Sequence, residues 1–452
     1  MEETTGAFLK RLIILALPLV MQNLISVSVG LADSLMVGSF LGEYAIAGIN
    51  LANQVQVLLQ MMMLGISAVL VILATQYWGR RDIKSIKEII AIAVKLCIGL
   101  GALINLAVFI TPQGVLRIFS DNPEVIEQGV IYIRIVSFSY LFFCLTQVLM
   151  ASMRCVEVVR IALVVAISTL IIAVGLNYLL IFGNHGFPQL GIRGAAVATL
   201  TARIIEALIM IVYVRFIDTR LRLRFKELLG INRVLLKDFA RYGAPVLGGD
   251  ILWGLAMTMQ VAIMGRMGSA AMASQSVTAV LFNVTMVVVW GVSFAAAILI
   301  GKTVGAEEYD AVKRYARILQ GVFLVLGIST ALVFLGLRDF FLSFYDFTPE
   351  TLALARQFMT VTALYTVFTA YHAPCFTGII RAGGDTKFVL KVDGFCAWFI
   401  VLPSAFLAAF VFGASPIVVY FFLRIDQFFK WVIAIWKTNN FSWIKNLTRS
   451  TT

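Results

Sequence analysis

Charge is what this sequence has least of. Only 13% of its 452 residues are charged, against 61% hydrophobic, whereas soluble domains carry about 25% charged residues. With a mean hydropathy of +0.95, that scarcity excludes a soluble globular domain and indicates a polytopic helical membrane protein. Histidine is nearly missing: His185 and His372 are the two. The five cysteines, Cys97, Cys144, Cys155, Cys375 and Cys396, stand at no metal-ligand or redox spacing and read as small packing residues. No phosphate-cradling Gly-rich loop is present, and no Ser/His/Asp, HExxH or CxxC set. These absences argue against ATP as the energy source and against an enzyme. No cleavable signal peptide is expected, because the first apolar segment is too long for one and lacks a small-residue cleavage site. That segment should be the first transmembrane helix.

What is present is apolar runs of bilayer length. A span needs about 20 apolar residues, and twelve emerge: 11–38, 45–76, 88–111, 127–152, 161–183, 193–215, 239–264, 271–301, 316–337, 353–380, 388–412 and 415–437. The net charge of +12 sits in alternate loops, which argues against nucleic acid as a partner. One set of loops holds Arg80, Arg81, Lys84 and Lys87, then Arg154 and Arg160, and onward to Lys437 and Lys445. The intervening loops hold single cations such as Arg117, Arg193, Arg266 and Arg338. By the positive-inside rule both termini should be cytoplasmic. The stretch from Arg215 to Arg241 is the longest polar segment. It reads as a cytoplasmic linker helix lying on an anionic membrane surface.

Shifted by half its length, the chain meets itself: Gly65 with Gly291, Gly79 with Gly305, Lys87 with Lys313, Pro123 with Pro349. With one residue of slippage, Pro18 meets Pro245 and Arg154 meets Arg381. Loop charges and prolines in register indicate duplication. The expected organisation is an N-terminal lobe at 1–214, a basic linker at 215–238 and a C-terminal lobe at 239–452. Six spans per half is an even number, so the halves insert in the same direction, with a cavity between them. The fold class expected is an all-α membrane protein of twelve helices in two pseudo-symmetric six-helix bundles.

Asp33 is the one carboxylate of the first span. A charge at such a depth costs on the order of 2.5–3.5 kcal/mol by insertion scales, so it points to a coupling or substrate site, or else to a structural hydrogen bond. Asp250 lies in the first span of the second half and falls opposite Asn23 in the repeat. Gln22 adjoins that level in helix 1. Arg203 and Glu206 stand at i, i+3 and form either a self-neutralised pair or one that opens to bind. Asn177 and Thr199 are uncharged oxygen-bearing groups in spans 5 and 6. His372, in span 10, is a packed histidine or a proton relay. The sixteen methionines read as fillers of gaps in the bundle.

Together these residues resemble the multidrug and toxic compound extrusion (MATE) transporters over nearly the whole chain. The resemblance rests on Pro18 through Asp33 to VGSFLG, on LNYLLIFG followed by LGIRGAAVATLTAR, and on Pro245, Asp250 and Trp253 followed by GRMG. It continues in IGKTVGA, RAGGDTKF and the terminal WIKNLT. It implies export of organic, often cationic and amphipathic compounds in exchange for Na⁺ or H⁺. It also implies that Asp33 is the cation-coupling acid, with Asn177 and Thr199 beside it, and that Asp250 is the helix 7 acid. Two positions depart from the pattern. Ile181 stands where many members carry a second Asp, and Ala370 where some carry an acid. The first departure tilts the coupling ion toward H⁺.

The expected function is therefore a cation-coupled antiporter working by alternating access in the plasma membrane, as a monomer. No cofactor is expected beyond H⁺ or Na⁺ as coupling ion. Substrate or coupling candidates besides the three N-lobe residues are Asp250, Glu206, Arg203, Gln22 and His372. A rival is a flippase of related fold for lipid-linked saccharides, which would need interior cations. The sequence offers Arg134, Arg203 and Arg356 as those outside the inner loops. A membrane-embedded enzyme or scaffold is the remaining alternative.

Overall fold

The computed structural model describes residues 4–38, 43–183 and 186–449, without the side chains of residues 31–35, 37, 38 and 43. Within these limits the apolar runs are helical, because hydrocarbon leaves a backbone no partner but itself. Helix α1 is Thr5–Gly38, α2 Glu43–Gly79 and α3 Ile83–Ile110. Helix α4 is a bent pair, Pro123–Val136 and Ser139–Cys155, meeting at 54°. Then come α5, Arg160–Phe182, and α6, Ile192–Val212, which runs on through a wider turn to Ile217. The second half holds α7, Arg233–Gly265, α8, Ser269–Gly305, and α9, Tyr309–Leu342. Helix α10 is Pro349–Pro374, and α11 Thr386–Val411. Helix α12 comes in two pieces, Pro416–Phe422 and Asp426–Asn439.

Twelve helical segments thus fall where the apolar runs predict them. Among the described residues nine helices are long and apolar enough to cross a membrane, and the bent α4 makes ten. The other two expected spans are α10 and α12. Helix α10 is diluted by threonines, tyrosines and Arg356. Helix α12 breaks at residues 423–425 and carries Asp426 and Lys430.

Contacts divide the chain into two compact units. One is Met21–Phe239. The other joins the chain up to Val20 with Ala240–Thr452. The first turns of α1 belong to the second unit because Phe8, fully buried, stacks on Tyr315 of α9 with ring centroids 4.1 Å apart. Within the same unit Phe358 of α10 stacks on Tyr420 of α12 at 4.1 Å. The Tyr420 hydroxyl lies 2.8 Å from Thr362 Oγ1.

The linker corrects one expectation. It is not a surface helix: between Ile217 and Arg233 the chain makes one short turn, Phe225–Leu228, and is otherwise irregular. It is pinned to α3 instead. Lys87 meets Glu227 at 2.8 Å, Lys95 donates to the carbonyls of Leu229 (2.8 Å) and Gly230 (2.6 Å), and Asn232 donates to Glu88 at 2.7 Å. Burial raises the Glu227 pKa, but the Lys87 ammonium and the Arg224 N–H outweigh it and hold the carboxyl below its usual range.

The RAGGDTKF and WIKNLT motifs meet in the second unit. The Lys445 N–H donates to the Gly383 carbonyl at 2.8 Å, and the Trp443 indole donates to the Thr438 carbonyl at 3.0 Å. Asp385, buried in the turn before α11, accepts from Lys437 (2.9 Å) and Lys445 (2.8 Å). Burial pushes its pKa up, yet the two ammonium groups outweigh burial and hold it below the usual carboxylate value.

Candidate functional site

The N-terminal candidates lie on α1, α5 and α6. Asp33 is in α1, but its side chain lies outside the described residues, as does the whole of His185 in the α5–α6 connection. Helices α5 and α6 run antiparallel in close contact. A Cβ at Gly194 would come within 2.4 Å of the Leu180 carbonyl oxygen, so only glycine permits this approach. Further along the pair, Thr169 of α5 donates to Glu206 of α6 at 2.6 Å. That register places Asn177 and Thr199 at one level between the two contacts. Asn177 is buried. Thr199 donates to the Ala195 carbonyl at 3.0 Å and lies 3.5 Å from the Tyr132 hydroxyl of α4. Ile181, one turn beyond Asn177, is fully buried and supplies no oxygen.

Arg203 and Glu206 form a closed pair. The guanidinium reaches both carboxylate oxygens, at 3.0 and 2.9 Å, and lies over the Phe143 ring of α4 at 5.0 Å. Glu206 also accepts from Thr169, so three bonds from two fixed donor atoms hold it, and with Arg203 over Phe143 they tie α4, α5 and α6 together.

Gln22 accepts from Arg154 at 3.4 Å and donates to Met150 at 3.7 Å, both in α4. Its counterpart in the second unit is Asp250, which meets Arg381 at 3.3 Å. Arg154 and Arg381 are partners in the sequence repeat, and residues 22 and 250 sit within one position of equivalence. Each half therefore binds its first helix with the same arginine, through an amide in one and a carboxylate in the other. Gly249, next to Asp250, lets Leu390 of α11 pack at 3.6 Å from where a Cβ would stand, while Gly248 faces open space.

The second unit also holds a network that the sequence reading passes over. Lys430 of α12, 4% exposed, bonds Asp393 of α11 at 3.0 Å and Asp426 at 2.9 Å. Gln427 donates to Asp426 at 2.9 Å. Its oxygen accepts from Thr369 at 2.7 Å and lies 2.8 Å from His372 Nε2. Because that oxygen is an acceptor, Nε2 carries the hydrogen. His372 is thus the α10 end of a chain running through α12 to α11. Its three charged members sum to one negative charge. The signal was present, as Asp426 and Lys430 are an i, i+4 acid–base pair inside an apolar run. Lys430, and Lys95 in α3, also correct the expectation that Arg134, Arg203 and Arg356 are the cations outside the inner loops. Arg356 is itself paired, with Asp339 at 2.9 Å.

Among the described residues no group of three or more His, Cys, Asp and Glu is placed to hold a metal ion, and the five cysteines are buried and free.

The MatE family model matches residues 18–179 and again 245–407. The chain belongs to the MatE family. The matches begin at Pro18 and Pro245, the prolines paired in the repeat, so the duplication is that of the family. As a MATE protein it is a multi-pass membrane transporter and not an enzyme. It is similar to YisQ, an uncharacterized transporter of Bacillus subtilis, with 23% identity over 422 residues, covering 92% of this chain and 91% of the relative. A probable multidrug resistance protein, NorM of Thermotoga maritima, is 24% identical over 412 residues, covering 90% and 87%. Among solved structures, a multidrug resistance MATE transporter in its outward-facing conformation superposes with a TM-score of 0.85 at 16% identity, covering 97% of this chain and 98% of that one. That likeness speaks for the fold.

Proposed function

We propose that this MATE transporter exports organic, cationic and amphipathic compounds across the plasma membrane by alternating access, in exchange for an inward-moving cation taken up at Asp33. The observation that carries this reading is the closure of Glu206. Two carboxylates lie deep in the spans of the N-terminal half, Asp33 and Glu206. Glu206 is fixed by Arg203 and Thr169, so the exchangeable charge falls to Asp33. Asn177 and Thr199, level with each other on α5 and α6, are its companions. Ile181 removes the second carboxylate that a sodium ion would use, and sodium needs several oxygen ligands where a proton needs one. The proton is the coupling ion of this reading.

In the cycle, Asp33 accepts a proton from outside. Its neutralisation alters the packing of α1, where Pro18 removes one backbone hydrogen bond and lets the helix bend. Loss of the negative charge lowers affinity for the cationic substrate and favours its release. Each proton entering down a potential of about 100 mV supplies about 2.3 kcal/mol. Coupling requires only that the two states differ in affinity for the ligands. Gln22, Arg203, Glu206, Asp250 and His372 each have a partner, and we read them as holding the helices whose packing changes. In this reading the chain works as a monomer, and the alternation of basic loops supports cytoplasmic placement of both termini.

The test is export of a fluorescent organic cation from proteoliposomes of unmodified protein, driven by a pH gradient or by a Na⁺ gradient in turn. Export under the pH gradient alone supports the reading. Export under the Na⁺ gradient alone removes the proton assignment, and none under either gradient sinks the coupled-antiport reading.

A further inference from the structure

The two acids of the linker after α6 are already engaged: Asp218 is buried and Glu227 is part-exposed but bonded. Asp218 accepts from the backbone N–H groups of Arg220 (3.2 Å), Leu221 (2.8 Å) and Arg222 (3.1 Å). Glu227 accepts from Lys87 and from the Arg224 N–H. Among the described residues no carboxylate forms an ion pair with the side chains of Arg215, Arg222, Arg224 or Lys226. Arg215, Arg222 and Lys226 therefore stand without ion-pair partners beyond α6, and Arg224 has only the longer-range attraction of Glu227.

Apolar side chains are exposed beside them. Phe216 is 75% exposed, Phe225 56% and Leu229 78%. A segment surrounded by water would not hold three such groups out, whereas the boundary between headgroups and acyl chains accepts them. Leu208, Val212 and Phe216, all exposed, form a row at four-residue spacing along α6. That row runs along the apolar α6 span beside a small crevice lined by Leu149 of α4, Ile211 of α6, Leu223 and Leu228 of the linker, and chiefly the carbon stems of Arg215 and Arg224. Arg215 lies over the Phe216 ring at 5.3 Å, at the end of the apolar row.

We propose that this crevice is a binding site for an anionic phospholipid. Arg215 and Arg224 hold its phosphate, and one acyl chain lies along Leu208, Val212 and Phe216. Guanidinium groups suit this task because their forked donors match phosphate oxygens in pairs. Basic crevices between transmembrane helices on the inner side recognise such headgroups. The apolar row commits the site to a lipid, since a soluble anion gains nothing from Phe216 and Leu208.

The experiment uses purified full-length protein extracted from vesicles of equal phosphatidylglycerol and phosphatidylcholine, with bound lipids counted by native mass spectrometry. The native protein should retain phosphatidylglycerol in excess. R215Q/R224Q should bind it about thirtyfold more weakly, because each cation near the surface contributes about fivefold. R233Q/K237Q, with the same charge loss outside the crevice, should keep the excess. Equal retention of both lipids by the native protein overturns the proposal. So does an excess that survives R215Q/R224Q, or one that falls equally in R233Q/K237Q. If R215Q/R224Q does not fold, the native protein is challenged with dioctanoyl phosphatidylglycerol and with inorganic phosphate. Displacement of bound lipid by the short-chain lipid alone supports the site, and equal displacement by phosphate overturns it.

Discussion

The edge of the Trp443 indole abuts the backbone of Gly383: a Cβ there would come within 2.2 Å of its Cε3 atom and 2.5 Å of Cζ3. Trp443 is fully buried, so the indole has nowhere to retreat. Gly383→Ala should displace it and loosen the tail from the turn between α10 and α11, at a cost of about 1–3 kcal/mol typical of overpacking. Thermal unfolding in detergent micelles reads the loss. Limited proteolysis should show faster cleavage after residue 440. An unchanged melting temperature would refute the tight seating of the indole.

Asp33→Asn keeps the size and removes the charge. Gradient-driven export of an organic cation should fall to background while the protein still inserts and elutes as native. Retained coupling in this variant would remove Asp33 from the mechanism.

Glu206→Gln separates packing from coupling. It leaves Arg203 against a neutral amide and weakens a charge-assisted set of bonds, so stability should drop by about 1–3 kcal/mol. The dependence of export on the pH gradient should be the same as in the native protein. A shifted pH profile in proteoliposomes would make Glu206 part of the proton path.

Lys430→Met leaves Asp426, buried, and Asp393, part-buried, without their shared cation. Breaking a buried ion pair from one side costs about 3–5 kcal/mol, and the melting temperature should fall accordingly. The triple variant D393N/D426N/K430M removes the stranded charges and should recover a large part of that loss. If the single and the triple variant melt alike, the network contributes only volume.

Asp385 gives a pH dependence of definite sign. Its folded pKa lies below the ordinary value of 3.8, so its bonds to Lys437 and Lys445 stabilise the fold fully above about that value. The contribution is lost as pH falls from there toward the folded pKa. Asp385→Asn should therefore be less stable than the native protein at pH 6, with the gap closing below about pH 4. Melting curves at pH 6, 5, 4 and 3 check this, and a gap constant across the series would contradict it.

The sequence by itself determined the membrane, the helices and the duplication. Hydrocarbon admits a single-chain backbone only as helix or closed barrel, so twelve apolar runs without strand alternation had one solution. Loop charges and paired prolines then exposed the repeat. The same logic made Asp33 stand out, because an isolated charge in an apolar run is visible without coordinates. Partnership was not visible in this way. Arg203 and Glu206 at i, i+3 fit both an open and a closed pair. The structure shows the pair closed, with Arg203 on both oxygens and Thr169, thirty-seven residues away, 2.6 Å distant. Likewise Asp393, Asp426 and Lys430 lie on two helices and meet only once α11 and α12 are packed side by side. Composition and period are properties of one segment at a time, and they fix what each segment must bury. Which buried charge is neutralised depends on donors arriving from other helices, and that is decided by tertiary packing alone.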